Sequence, residues 1–239
     1  MIFFSSKIVA FLIFNLLIHS GLYEWHKSIL LDELPEYKRS ALEVMRQPLE
    51  DRHITVARTK ETVDYPASFM LVAAMNPCPC GHYGENNPAH PCTCTPAQVH
   101  RYMSKISGPL MDRIDIQCEI ENVPYEQLRD TQPGESSAVM RERVLKARAI
   151  QNERFKHSRL VHSNAMMNSK MVRQYCALDA ECDKLFELTM NKLGLSARAY
   201  DRILKVARTI ADIEGSENIQ KKHLLEAISY RSLDRNNWG

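Results

Sequence analysis

Two adjacent carboxylates, Asp32 and Glu33, are the residues of this sequence whose surroundings most clearly suggest chemistry. They directly follow a short apolar run at residues 29–31, and Pro35 comes two residues later. Such a run predicts a strand that delivers both acids to its carboxyl end. There one carboxylate can hold Mg²⁺ through water, and the next can polarise a water molecule that attacks a phosphate. The pair therefore predicts metal-assisted phosphate chemistry, although a solvated strand end can carry the same two residues.

The arrangement is typical of the Walker B acids of P-loop ATPases, which also need a loop that binds the phosphates. That loop has the pattern G-x-x-x-x-G-K-[ST], and its backbone N–H groups and lysine hold the triphosphate. None of the eight glycines in the sequence begins this pattern. We therefore expect the 239 residues to contain the acids of an ATP site without its phosphate loop.

A second polar strand end is predicted at Asn76. Residues 69–75 form a continuous apolar run, FMLVAAM, which predicts a strand buried on both faces. An amide at the end of that strand could hydrogen-bond the attacking water or the γ-phosphate beside Asp32 and Glu33. A third strand is predicted at residues 114–120, IDIQCEI.

The cysteines suggest a metal site. Their number, seven, is odd, and the sequence has no convincing export signal, so reduced thiols or a metal site are favoured over disulfides. Four of them form two C-x-C pairs separated by eleven residues: Cys78, Cys80, Cys92 and Cys94. Four thiols can close a tetrahedral Zn²⁺ site, with His82 or His90 as substitute ligands. Reduced thiols without a metal remain the alternative.

The elements that must position these residues form an α/β part followed by an all-α part. In the first part we expect a helix at residues 36–50, a hairpin at 53–65 and a helix that begins at Thr95 and Pro96 and is broken by Gly108 and Pro109. A linker is expected at residues 124–137. The five amphipathic helices of the second part are expected near residues 138–156, 165–177, 179–193, 196–213 and 218–230.

The composition is that of an ordinary globular protein, with 44% apolar and 25% charged residues. A net charge of +2 is too small to predict nucleic-acid binding by itself. Residues 8–14 are all apolar, but Lys7 and Asn15 flank them, so a signal peptide or membrane anchor is the less favoured interpretation. We expect a cytoplasmic protein whose first 27 residues pack against the α/β part.

Five segments together resemble the magnesium-chelatase-like AAA+ ATPases, in the branch of the ComM-type competence helicases. The segments are LLDELPEY, RQPLED, AAMNPCPCG, SGPLMDRIDI and SARAYDRILKVARTIAD, and the resemblance covers residues 28–232. It implies a partial P-loop core at residues 28–130, with a parallel sheet, helices and an inserted hairpin, and then a helical lid at 138–232. Residues 1–27 do not match, so the sequence looks like the carboxyl-terminal half of such a protein behind an unrelated leader.

The resemblance also implies roles in catalysis. Asp32 and Glu33 would be the Walker B pair, with Asp32 holding Mg²⁺ through water. Asn76 would be sensor 1, the amide that contacts the attacking water or the γ-phosphate. Arg113, in MDRID, would be the arginine finger that acts on the ATP of a neighbouring subunit. Without the resemblance, Arg113 would be interpreted as part of a surface ion pair with its acidic neighbours.

Two further pairs of basic residues receive binding roles. Arg198 would be sensor 2, which reaches from the lid to the phosphates, and Arg202 is the rival for that role. Arg58 and Lys60 lie at the predicted hairpin tip and would contact DNA phosphates without distinguishing bases. An ordinary hairpin with a charged tip is the alternative.

The function implied is ATP hydrolysis with Mg²⁺ in a hexameric ring that moves DNA or drives branch migration. Because the phosphate loop is missing from the sequence, we expect the chain to be inactive without copies or a full-length homologue that supplies it. Two alternatives stay open. The chain could be a non-catalytic interaction subunit that supplies the arginine finger and lid to a partner, or a motor subunit of a metal chelatase.

Overall fold

The computed structural model describes residues 27–57, 62–84, 90–120 and 134–231. The described residues up to 120 form one compact unit, and those from 134 onward form a second. The leader and the hairpin tip with Arg58 and Lys60 lie outside the described residues. Among those that are described, no helix combines the length and apolar character that a membrane crossing requires.

The first unit is built on two parallel strands, β1 (Lys27–Leu31) and β4 (Phe69–Ala73), with Leu31 opposite Ala73. Between them in the chain lies an antiparallel hairpin of β2 (His53–Ala57) and β3 (Thr62–Pro66). The predicted parallel sheet with an inserted hairpin is therefore confirmed. The helices of this unit are α1 (Arg39–Val44), α2 (Arg46–Asp51), α3 (Pro96–Met103) and α4 (Gly108–Met111), with a 3-10 turn at Leu34–Glu36.

The single helix predicted at residues 36–50 was wrong, because the chain forms the 3-10 turn and then two short helices that meet at Met45. Pro48 has no N–H to donate to the carbonyl of Val44, so a continuous helix loses a hydrogen bond where α1 ends. Gly108 and Pro109 were expected only to break a helix. They instead open α4, whose N-cap is Ser107.

The third strand predicted at residues 114–120 was also wrong. Only an isolated bridge at Cys118 is found in this segment. A strand needs a neighbour for its backbone groups, and in the described residues β4 pairs with β1 alone. In this segment Gln117 is buried while Ile116 is exposed.

The second unit contains the five predicted helices, with ends that differ by a few residues from the sequence estimate. Serine, asparagine or aspartate side chains cap four of them, which explains why they begin where they do. Their bounds are α5 (Ser137–Arg154), α6 (Ser169–Tyr175), α7 (Ala180–Leu193), α8 (Ala197–Glu214) and α9 (Lys221–Ser229).

Helix α8 is the centre of the second unit. Its buried residues recur at the three- and four-residue spacing of one helix face: Ala199, Ile203, Leu204, Ala207 and Ala211. At the polar end of this face the buried carboxylate of Asp212 accepts hydrogen bonds from Arg154 at 2.6 Å, from Asn164 at 2.7 Å and from Arg208 at 3.1 Å. This network joins α5 to α8.

Candidate nucleotide edge and four-cysteine centre

Asp32 and Glu33 lie directly after β1 and are both exposed. The backbone of Glu33 is left-handed, with φ 52° and ψ 51°, and its N–H donates to Oδ1 of Asp32 at 3.1 Å. This conformation is unfavourable for a residue with a side chain and is concentrated at functional sites. The turn therefore presents two carboxylates to solvent, where they can bind a hydrated cation.

Asn76 lies at the same edge of the sheet as the two acids. Because β1 and β4 are parallel, their carboxyl ends are neighbours, and two backbone hydrogen bonds continue the pairing beyond the strands. The N–H of Ala74 donates to the carbonyl of Leu31 at 2.8 Å, and the N–H of Leu34 donates to the carbonyl of Ala74 at 2.9 Å. The structure thus brings Asp32, Glu33 and the half-buried Asn76 to one edge.

Tyr102, on α3, belongs to this edge and was missed from the sequence. It is buried and packs in the same apolar cluster as Ala73 and Met75, which lie just before Asn76. Burial, together with the nearby carboxylates of Glu36 and Glu33, raises the pKa of Tyr102 to about 12. The phenol therefore stays neutral at physiological pH beside these acids. A tyrosine at helical spacing in an apolar pattern gives no sign of this contact, because it depends on the packing of α3 against β4.

Arg113 is held within its own unit. Its Nε donates to the carbonyl of Arg46 at 3.1 Å, its Nη1 donates to the carbonyl of Pro109 at 2.7 Å, and its Nη2 pairs with Glu50. Only 9% of its side chain is exposed. In this conformation the guanidinium links α2 to α4, so action on a neighbouring subunit requires it to exchange these partners for a phosphate.

The predicted sensor 2 residues lie in the second unit, on the first turns of α8. Arg198 is exposed and lines an open cleft of about 810 Å³, whereas Arg202 is half-buried. The same cleft is lined by the side chains of Tyr200 and Phe186, whose rings stack with centroids 4.9 Å apart. Arg173 and the acidic residues Asp183, Glu187 and Asp201 also line it, so the cleft carries both signs of charge beside an aromatic surface.

The four cysteines of the two C-x-C pairs converge. The Sγ atoms of Cys78 and Cys80 are 3.3 Å apart, those of Cys80 and Cys92 are 3.5 Å apart, and those of Cys78 and Cys92 are 3.8 Å apart. All four sulfurs, including that of Cys94, lie within 4.8 Å of one another. A tetrahedral zinc ion with bonds of about 2.3 Å needs sulfurs about 3.8 Å apart. We call these four residues the four-cysteine centre.

The local backbone explains how the first pair turns toward the centre. The N–H of Gly81 donates to the carbonyl of Cys78 at 3.1 Å, and Gly81 has φ 88°, which glycine tolerates better than any other residue. Thr95, the N-cap of α3, directly follows the second pair. The side chains of Thr95 and Gln98 each accept from the other residue's backbone N–H. The helix start predicted at Thr95 and Pro96 is therefore confirmed.

The thiols of the centre differ in pKa. Backbone N–H groups of His82 and Thr93 donate to the Cys80 sulfur and lower its pKa to about 5. Burial raises the pKa of Cys94 to about 12, and the sulfurs of Cys80 and Cys78 add to this effect. Four neighbouring thiols cannot all ionise without a compensating cation, and a divalent metal supplies that charge.

The histidines considered as substitute ligands are not part of the centre in the described residues. The rings of His82 and His90 stack on one another with centroids 5.7 Å apart, and the cluster of possible ligands consists of four sulfurs. Cys176 and Cys182 are buried in the core of the second unit, as expected from their helical positions, and burial raises the pKa of Cys176 to about 12.

Two family models match the chain over most of its length. The model described as magnesium chelatase, subunit ChlI, matches residues 24–128, and the model of the ChlI C-terminal region matches residues 134–231. The first match includes the carboxylate edge and the four-cysteine centre, and the second covers the helical unit.

Curated relatives agree with the models. The chain is 46% identical over 212 residues to the uncharacterized protein YifB of Escherichia coli, a match that covers 88% of this chain and 40% of YifB. It is 46% identical over 209 residues to competence protein ComM of Haemophilus influenzae, covering 87% of this chain and 39% of ComM. An uncharacterized protein of Mycobacterium tuberculosis is 34% identical over 209 residues, which cover 86% of this chain and 40% of that protein.

The chain thus spans about two fifths of the length of these relatives. The matched ranges contain Asp32, Glu33, Asn76 and the four cysteines in the first model, and Arg198 in the second. The α/β unit followed by a helical unit corresponds to the carboxyl-terminal half of an AAA+ protein. The chain belongs to the magnesium-chelatase-like family, in its ComM-type branch.

Proposed function

We propose that the chain is the acid- and sensor-bearing part of an AAA+ ATPase that hydrolyses ATP with Mg²⁺ and moves DNA. The observation that carries this proposal is the meeting of Asp32, Glu33 and Asn76 at the carboxyl ends of two parallel strands. Ligands bind at this end of the strands in α/β sheets. Membership of the ComM-type family supports ATP as the ligand, and the exposure of both carboxylates supports access of a hydrated ion.

Each residue of the edge has a chemical task. Asp32 holds Mg²⁺ through water, Glu33 polarises the attacking water, and the Asn76 amide orients that water or the γ-phosphate. These tasks accelerate the reaction only when the triphosphate is fixed in place. The sequence contains no G-x-x-x-x-G-K-[ST] loop, so the phosphates must be held by residues outside these 239.

The assembly we propose is a hexameric ring of copies of the chain or of a full-length homologue. Arg113 then serves the ATP of the neighbouring subunit after it leaves Glu50, and Arg198 contacts the phosphates from the helical unit. The ring would move DNA by contacts of the hairpin. All five residues of β3 are exposed, which supports a hairpin that extends away from the core. Arg58 and Lys60, in the sequence between β2 and β3, would supply positive charge for phosphates.

We also propose Zn²⁺ as the ion of the four-cysteine centre. Four sulfur ligands without an open position are typical of structural zinc and not of a catalytic metal. Three of the sulfur pairs are separated by 3.3–3.8 Å, close to the tetrahedral requirement of about 3.8 Å. Reduced cysteines persist in the cytoplasm, so this centre supports a cytoplasmic location.

The proposed activity can be tested in a chimera that joins the part of Escherichia coli YifB preceding its match to residues 28–239 of this chain. We expect Mg²⁺-dependent ATP hydrolysis, because YifB would supply the phosphate loop. Glu33→Gln should lower the turnover by about 10²-fold or more, since it removes the base that activates water. Glu142→Gln, on the exposed face of α5, is the matched control.

Binding of the chimera to single-stranded and duplex DNA tests the motor function. Replacing both Arg58 and Lys60 by Ala should weaken binding to all sequences alike. It should also reduce the slope of log affinity against log salt by about one to two, because two phosphate contacts are lost. Hydrolysis without any DNA binding would reject the DNA motor. A purified chain that raises the turnover of full-length YifB without hydrolysing ATP itself would favour an interaction subunit.

A further inference from the structure

We propose that Zn²⁺ in the four-cysteine centre positions Asn76, because the metal joins the loop that follows Asn76 to the helix whose tyrosine packs against the end of β4. The inference rests on the zinc ion proposed above and is independent of ATP hydrolysis. It gives the centre a function at the nucleotide edge that its ligand set alone does not suggest.

The first connection runs along the chain from Asn76 to the metal. Cys78 is two residues after Asn76, and Pro77 between them restricts the backbone. Cys78 is fully buried and packs in the apolar cluster that contains Ala73 and Met75. Its sulfur therefore cannot move independently of the end of β4, and fixing that sulfur on a metal fixes the peptide that carries Asn76.

The second connection runs from the metal through α3 and back to the end of β4, which carries Asn76. Cys94 directly precedes Thr95, whose capping box fixes the start of α3. Two turns later, Tyr102 packs in the apolar cluster that contains Ala73, Met75 and Cys78. A metal bound to Cys78 and Cys94 thus closes a ring that passes through α3 and Tyr102.

The metal is needed because regular secondary structure does not hold this segment. The described residues between Cys78 and Cys94, 78–84 and 90–94, contain turns and bends but neither helix nor strand. Zinc binding converts four thiols to thiolates, releases their protons and supplies the binding energy that orders such a loop. Without the ion, the second pair of cysteines has no covalent or metal connection to the first, and α3 can move relative to β4.

The proposal is tested by zinc analysis and amide hydrogen exchange on the full 239-residue chain, purified under reducing conditions. We expect one zinc per chain. Removal of zinc by a chelator should speed exchange at residues 73–76 and 78 by about tenfold, because the end of β4 opens more readily without the metal. Exchange in α7, which belongs to the second unit, should not change. Adding zinc back should restore protection.

Variants separate positioning from general stability. Cys94→Ser should lose zinc and reproduce the fast exchange, whereas Cys94→His should retain zinc and protection because imidazole is also a zinc ligand. Tyr102→Ala should keep zinc but lose protection at residues 73–76, because it removes the α3 side chain that packs on the end of β4. Cys118→Ser, outside the centre, is the control and should behave as the native chain.

Three results would overturn the inference in different ways. A reduced chain that binds no zinc rejects both the metal and the coupling. Stoichiometric zinc whose removal leaves the exchange of Asn76 unchanged rejects the coupling alone. Equal acceleration in residues 73–78 and in α7 shows global unfolding and also rejects specific positioning. None of these results depends on whether the chain takes part in ATP hydrolysis.

Discussion

Glu33 combines a proposed catalytic role with a backbone conformation that its side chain disfavours. Its φ of 52° places a residue with a Cβ in the left-handed region, next to the aspartate that accepts its N–H. Proteins retain such conformations where the surrounding structure requires them, commonly at functional sites. We therefore expect that a residue better suited to this backbone conformation would stabilise the fold but could not replace Glu33 in its proposed catalytic role.

We predict that Glu33→Gly leaves the free energy of unfolding unchanged or raises it by up to about 1 kcal/mol, because glycine relieves the left-handed strain. Glu33→Val should lower it by about 1 kcal/mol or more, since a β-branched residue tolerates this region poorly. Urea denaturation measures both. Lys38→Gly is the control, because Lys38 has an ordinary φ of −60°. Equal destabilisation by glycine at both positions would contradict the strain.

At the level of elements, the buried carboxylate of Asp212 connects α5 to α8 in the second unit. It is fully buried and pairs with Arg154 and Arg208, whose side chains are only 13% and 4% exposed. Arg208 also donates to the carbonyls of Ser216 and Glu217 just beyond the end of α8. The Asp212 carboxylate thus supplies the negative charge that balances two largely buried guanidinium groups.

We predict that Asp212→Ala lowers the free energy of unfolding by about 3–5 kcal/mol, because two buried guanidinium groups lose their counter-charge. Loss of helical circular dichroism in urea measures this effect. Glu142→Ala removes the exposed pair with Lys146 on α5 and should have no measurable effect. If the two variants unfold at the same urea concentration, the network does not stabilise the helical unit.

Asp179 gives a pH prediction for helix α7, whose N-cap it forms. The backbone N–H of Cys182 donates to Oδ1 of Asp179 at 2.8 Å and lowers the pKa of this carboxyl below its usual 3.8. Since the folded pKa is depressed, the stabilisation is complete above about pH 4 and is lost as pH falls through the folded value. Asp179→Asn should therefore show a smaller loss of stability between pH 4 and pH 2 than the native chain. Parallel acid-unfolding curves for both proteins would contradict the cap's charge effect.

The sequence predicted an element well where the residues that determine it are neighbours in the chain. Thr95, Pro96 and Gln98 specify the start of α3 through side-chain and backbone hydrogen bonds that neighbours in sequence can make. The strand expected at residues 114–120 failed because strand formation depends on a partner, which the alternation of that segment does not reveal. The packing of Tyr102 against the end of β4 also depends on tertiary structure.

For the whole molecule, the sequence motifs predicted most residues of the candidate site, but they did not predict how distant parts of the chain come together around them. The four cysteines and the acid pair were predicted from residue type and spacing, and the structure brings each set together. The arrangement of Arg113 could not be predicted, because its partners Arg46 and Glu50 lie 67 and 63 residues earlier in the chain. A ring would require Arg113 to change partners, which spacing along the chain does not specify.

The central claim is that these 239 residues hold the acid and sensor part of an ATP site but not its phosphate loop. Steady-state ATP hydrolysis by the purified chain alone, with Mg²⁺ and beside its Glu33→Gln variant, tests this claim most directly. We predict that the native chain shows no turnover above that of the variant, because carboxylates that hold Mg²⁺ and water cannot act on a triphosphate that nothing fixes in place. Turnover by the native chain that Glu33→Gln abolishes would contradict the account and would show that a phosphate-binding loop of another pattern exists within the chain.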